Sequence, residues 1–125
     1  MTATKVVDAS ALAALLFGEP QAEQVARRLG GARLVAPGLL AYELANVCVV
    51  KGRRHPDQRE ALLAGLSLRG RLNVEEIAMD HDAVAHLALQ TGLTAYDASY
   101  LWLARRLEAE VVTLDKALEA AAAAL

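Results

Sequence analysis

The chain has 125 residues, enough for one domain with a real core and too few for two of ordinary size. Hydrophobic residues at 55% against charged residues at 22% exclude a disordered chain, and aromatics at 4% leave the core to Leu, Val and Ala. The formal net charge of −2 does not decide for or against a nucleic-acid partner: once the four acids discussed below are set aside, thirteen Lys and Arg face eleven Asp and Glu.

In chain order, Thr4 to Val7 reads as a short buried strand ending in Val6-Val7, and Ser10 to Phe17 as a helix stopped near Gly18 and Pro20. A second helix, Gln21 to Leu29, meets Gly30-Gly31, a C-terminal stop. A strand at Arg33 to Ala36 follows, then a third helix opened by Pro37 and ended by Gly52. Pro56-Asp57 starts a fourth helix to about Leu68, and Leu72 to Ile77 reads as a third strand. Asp80 caps a fifth helix broken at Gly92, and a sixth runs from Ala95 to Leu107. The last strand is Glu110 to Leu114, before an alanine-rich helix from Lys116. Short apolar strands alternating with helices predict an α/β sandwich of three layers, with a parallel sheet of about four strands covered on both faces.

No apolar run approaches the roughly twenty residues of a membrane span, and no basic stretch followed by an apolar one opens the chain as a secretory signal would. Cys48 is the only cysteine and lies in the apolar run Asn46-Val47-Cys48-Val49-Val50, which suits a buried inert thiol and an intracellular, cytoplasmic protein.

Four acids, Asp8, Glu43, Asp97 and Asp115, sit in or beside apolar stretches, where a carboxylate is costly. Asp8 and Asp115 close two different strands, and the carboxyl ends of parallel strands share one edge, where ligands bind. Glu43 lies at i+3 from Leu40 and i−4 from Val47, on the apolar stripe of its helix, with Asn46 one turn on. Asp97 stands near the start of the sixth helix, one turn before Leu101. Each acid has a plain structural reading. Asp8 and Asp115 suit helix caps, Glu43 a core ion pair, and Asp97 a first-turn acid favoured by the helix dipole. Their conjunction points to a site for hard divalent cations, which take oxygen ligands and in pairs support phosphodiester cleavage. Zinc spacing and a Gly-rich phosphate loop are both missing. His81, between Asp80 and Asp82, reads as part of a polar helix start, and Ser10 has no evident base partner.

The segments Val6-Val7-Asp8-Ala9-Ser10-Ala11-Leu12, Pro37 with Glu43-Leu44-Ala45-Asn46, Leu93-Thr94-Ala95-Tyr96-Asp97-Ala98 and Thr113-Leu114-Asp115-Lys116-Ala117-Leu118 resemble the PIN-domain ribonucleases, above all the VapC-type toxins of toxin–antitoxin pairs. The resemblance spans nearly the whole chain as a single PIN-like domain. It implies an endoribonuclease using one or two Mg²⁺ or Mn²⁺ ions, frequent homodimers, and a small antitoxin whose C-terminal segment blocks the cleft. Carried over by motif, Asp8, Glu43, Asp97 and Asp115 would be the catalytic, metal-binding acids. Ser10 and Thr113 would be supporting hydroxyls, and Asn46 would lie behind the ligands. The terminal alanine run replaces a further edge strand found in many relatives.

RNA contacts would fall to basic residues such as Arg53, Arg54 and Arg105 (Arg69, Arg71 and Arg106 are others), with Tyr42, Tyr96 and Tyr100 able to stack on bases. Leu12, Leu15, Leu16 and Phe17 offer apolar surface for a second subunit. Two other functions fit the pattern in part. One is a receiver-like phosphoacceptor domain, although the third strand ends without the Asp it needs. The other is a non-catalytic binding module of the same fold.

Overall fold

The computed structural model describes residues 2–124. Its elements are β1 (Thr4–Val7), α1 (Ala9–Leu16), α2 (Ala22–Leu29), β2 (Arg33–Pro37), α3 (Leu40–Arg54), α4 (Arg59–Ser67), β3 (Glu75–Ile77), α5 (His81–Thr91), α6 (Ala95–Leu107), β4 (Glu110–Val112) and α7 (Lys116–Ala123). The four strands are all parallel, in the order β3-β2-β1-β4. Val6 pairs with Val35 on one side and Val111 on the other, and all three are buried. Strand segments enclosed on both faces need no alternation, which is why Val6-Val7, Val35-Ala36 and Val111-Val112 appear as plain apolar runs, while the edge strand β3 is largely exposed.

The chain steps from β1 outward to β2 and β3, then returns to the far side of β1 for β4. With right-handed crossovers, that reversal puts α1 to α4 on one face of the sheet and α5 to α7 on the other. The packing agrees: α1 meets α2, α3 and α4, while α6 meets α5 and α7. The core lies between the layers and includes Leu12, Leu44, Leu101, Leu103 and Leu118. The reversal also makes the carboxyl ends of β1 and β4 the switch point, where open α/β sheets receive ligands.

The expected parallel α/β fold with four strands is therefore present, with local corrections. Pro37 ends β2, paired with Ile77, and α3 starts three residues later. A proline at a strand end sacrifices only one ladder bond. The third strand is three residues long, because Leu68–Leu72 forms a 3₁₀ turn and Asn73 takes the left-handed conformation at φ 53°. The fourth helix is preceded by a 3₁₀ turn, Pro56–Gln58. β4 stops at Val112, and beyond it the Thr113 hydroxyl, donating to Asp8, makes the link to the end of β1. Leu12 is buried, while Leu15, Leu16 and Phe17 are partly buried against the core, so only part of the apolar surface expected to await a second subunit is covered within the chain. Exposed apolar side chains lie elsewhere, on Val49 and Val50 of α3, Leu63 of α4 and Leu89 of α5.

Candidate active site

Asp8 follows directly on β1 and is only 5% exposed. Its Oδ1 caps α1 by accepting from Ala11 N at 3.1 Å and also accepts from Ser10 Oγ at 2.8 Å. Its Oδ2 accepts from Thr113 Oγ1 at 2.6 Å. The two hydroxyl oxygens are 3.3 Å apart, but each has one proton and both protons are spent on Asp8. Their lone pairs hold the opposite wall: Ser10 Oγ accepts from Leu114 N at 2.8 Å, and Thr113 Oγ1 from Asp115 N at 2.9 Å. Two small hydroxyls thus lock the ends of β1 and β4 together and aim Asp8. Asp115 caps α7 through Leu118 N at 2.9 Å. Capping and site membership are compatible, since a cap occupies one lone pair of a carboxylate that has about four.

Glu43 lies in the first turn of α3, half-buried, as the apolar stripe required. Its partner is a tyrosine rather than the arginine of a core ion pair: Tyr100 Oη donates to Glu43 Oε1 at 2.6 Å. Asp97 lies in the first turn of α6, where its backbone N–H is capped by Thr94 Oγ1 at 3.1 Å.

The electrostatics of three of the acids run the same way. Burial first, and the charge of Asp115 last, raise the Asp8 carboxyl above the ordinary value of 3.8, against the lowering pull of Thr113, Ser10 and Ala11. Burial raises Glu43 above 4.5, opposed by the Tyr100 bond and reinforced by Asp8 and Asp97. Burial, then Asp115 and Asp8, raise Asp97, with Thr94 opposing. The Tyr100 hydroxyl is pushed far up, by burial and by its carboxylate partner, and so keeps its proton. Each acid is within electrostatic reach of at least two others. Among the described residues none of the four takes part in an ion pair.

Among the described residues no three acidic, histidine or cysteine groups already stand together as a closed cage for an ion. Even so, the chemistry of the set fits a hard divalent cation: oxygens only, negative charge left uncompensated, and a position at the switch point.

The other candidates are placed less favourably. Asn46 is exposed and makes no hydrogen bond to the four acids among the described residues. Arg53 and Arg54 end α3, roughly 15 Å along its axis from Glu43 at 1.5 Å per residue, and Arg105 is about 12 Å along α6 from Asp97 on the same measure; all three are exposed. Tyr100 is 1% exposed, so it cannot stack on a base, whereas Tyr42 at 83% and Tyr96 at 67% are open. Tyr96 lines a groove of about 610 Å³ with Leu39, Ile77, Met79 and Val84. His81 is exposed beside the Asp80 cap of α5, and Cys48 is buried. The bond between Tyr100 and Glu43 was missed in the sequence. The signal for it was a tyrosine one turn beyond Asp97 on the apolar stripe, whose buried hydroxyl needs a partner.

Fold and site together define an α/β protein with an acidic crevice at the switch point of a parallel sheet. A family model for the PIN domain matches residues 5–124. Ribonuclease VapC3 of Pyrobaculum aerophilum is 40% identical over 119 residues, 90% of either chain. VapC ribonuclease Mb0985 of Mycobacterium bovis is 35% identical over 115 residues, 88% of this chain and 84% of its own. The crystal structure of PAE2754 from Pyrobaculum aerophilum superposes with a TM-score of 0.69 at 28% identity, over 94% of this chain and 78% of the other. The chain belongs to the PIN-domain family. The receiver alternative falls with this, and with the strand order, since flavodoxin-like sheets run 2-1-3-4-5.

Proposed function

We propose that this chain, acting as one PIN-like domain, is a metal-dependent endoribonuclease and the toxin of a toxin–antitoxin pair. The observation that carries the reading is the set of four acids, none in an ion pair among the described residues, in a chain 40% identical to a protein named Ribonuclease VapC3. Asp8, Glu43, Asp97 and Asp115 would hold one or two Mg²⁺ or Mn²⁺ ions, which supply an activated water and charge stabilisation for phosphodiester hydrolysis.

The protein's own part is positioning. Ser10 and Thr113 fix both oxygens of Asp8 and tie it to the segment bearing Asp115. Their proton donation lowers the Asp8 carboxyl against the larger rise that burial imposes, and with three donors on about four lone-pair sites one site stays open. Thr94 and the first turn of α6 hold Asp97. Tyr96 and the groove beside it offer an unpaired base a stacking surface. Arg53, Arg54 and Arg105 are too far along their helices to serve the cleavage point, and would meet only the flanks of a longer RNA.

An RNA substrate, a small cognate antitoxin, a homodimer and a cytoplasmic setting belong to the same proposal. No helix among the described residues is long and apolar enough to cross a membrane. Cleavage of a mixed RNA pool with and without EDTA tests the activity. Loss on chelation and recovery with Mn²⁺ is the expected result, and cleavage indifferent to EDTA would refute the metal dependence. No cleavage under any of these conditions, with specific capture of Mn²⁺ also absent, would favour a non-catalytic binding module instead.

A further inference from the structure

The bond between Tyr100 and Glu43 joins the two helices that bear site acids. Tyr100 stands at i+3 from Asp97, so one turn of α6 directs a carboxylate and a phenol to the same side. The phenol reaches α3 and donates to a single oxygen of Glu43, Oε1, at 2.6 Å. The ring is sealed in the core at 1% exposure, so its position is fixed by packing. Glu43 is half-buried on a flexible three-carbon stem, and its carboxylate makes no other side-chain hydrogen bond among the described residues. Asp8 is held by three donors and Asp115 by one backbone N–H at a helix cap, whereas the Glu43 carboxylate is held by a side chain from another helix, the Tyr100 phenol.

We propose that Tyr100 is a positioning residue: it holds Glu43 at a set distance from Asp97, leaving Oε2 directed to a divalent cation. The inference rests on the metal-dependent reading above and adds a residue to it. Groups that orient ligands in this way typically change metal affinity by roughly 10- to 100-fold when lost.

The test is a thermodynamic cycle on the full chain, read as Mn²⁺ affinity by calorimetry. Four proteins are compared: the parent, Tyr100→Phe, Glu43→Gln and the double variant, with Asp8→Asn as a check on the site. Phenylalanine keeps the ring and removes one oxygen, and thermal unfolding without metal verifies the fold. The expected result is a loss of Mn²⁺ affinity of about 10-fold or more for Tyr100→Phe, with little further loss when the same change is made on Glu43→Gln. An equal loss in both backgrounds overturns the assignment, because Tyr100 would then act through packing. Unchanged affinity in Tyr100→Phe overturns it as well. Mn²⁺ binding indifferent to Asp8→Asn overturns the underlying reading and this inference with it. Should Tyr100→Phe fail to fold, proton NMR of the parent decides: a slowly exchanging tyrosine hydroxyl signal that moves on adding Mg²⁺ supports the assignment, and its absence overturns it.

Discussion

Thr113 Oγ1 donates to Asp8 Oδ2 at 2.6 Å across 105 positions of sequence. The same oxygen accepts from Asp115 N, so one threonine ties together the two acids that close β1 and β4. Thr113→Val keeps the shape and removes both bonds. A hydrogen bond to a buried charge contributes about 1.5–3 kcal/mol, so urea unfolding should show a loss of that order. Cleavage should fall by about 10-fold or more, since the ligand is no longer aimed. Full activity in a protein of unchanged stability would show that the bond positions nothing.

The raised carboxyls of Asp8, Glu43 and Asp97 set the pH dependence of the metal-free protein. Folding favours their protonated forms, so this stabilisation is complete below the ordinary values of 3.8 and 4.5 and is lost as pH rises through the higher folded values. Glu110, lowered chiefly by Arg28, has the opposite sign and loses its contribution only as pH falls below 4.5. The melting temperature in EDTA should therefore decline as pH rises above 4.5. A melting temperature that climbs across that range would contradict the charge clustering.

Asp97→Asn removes one of the repelling charges. The variant should melt a few degrees above the parent in EDTA at neutral pH and yield no cleavage. Mn²⁺ at about 100 times its dissociation constant should stabilise the parent by about 2.7 kcal/mol and the variant far less. Calorimetric melts with and without Mn²⁺ measure both effects, and equal stabilisation of the two proteins would remove Asp97 from the site.

Gly65 lets α4 pack directly on the end of α1. A Cβ there would collide with the Leu16 carbonyl and crowd the Phe17 ring. Gly65→Ala should cost roughly 1–3 kcal/mol by overpacking in a denaturant titration, while the Mn²⁺ affinity of the folded protein stays the same. A variant as stable as the parent would mean the two helices separate without cost.

Much of the fold was legible because β1 and β4 are buried at their carboxyl ends and read as apolar runs followed by acids, as at Val6-Val7-Asp8. The placing of Asp8 and Asp115 at one edge followed from parallel pairing alone, and Glu43 from helical period. The sequence was ambiguous where the backbone departs from regular elements. Leu72 to Val74 looked extended, but Asn73 turns left-handed, and Pro37 looked like a helix start although it ends a strand. The side-chain partners of the acids were not legible. Ser10 and Asp8 lie within one turn, yet the sequence shows no partner for Ser10, and Tyr100 with Glu43 joins distant helices, so the apolar stripe shows a buried phenol and not its acceptor.

The central claim is that Asp8, Glu43, Asp97 and Asp115 share divalent ions. An anomalous difference map from a crystal of this protein soaked in MnCl₂ tests it most directly. The account predicts a strong manganese peak bounded by carboxylate oxygens of Asp8, Asp97 and at least one of Glu43 and Asp115. Manganese bound only elsewhere, with this crevice vacant at saturating ion, would contradict it.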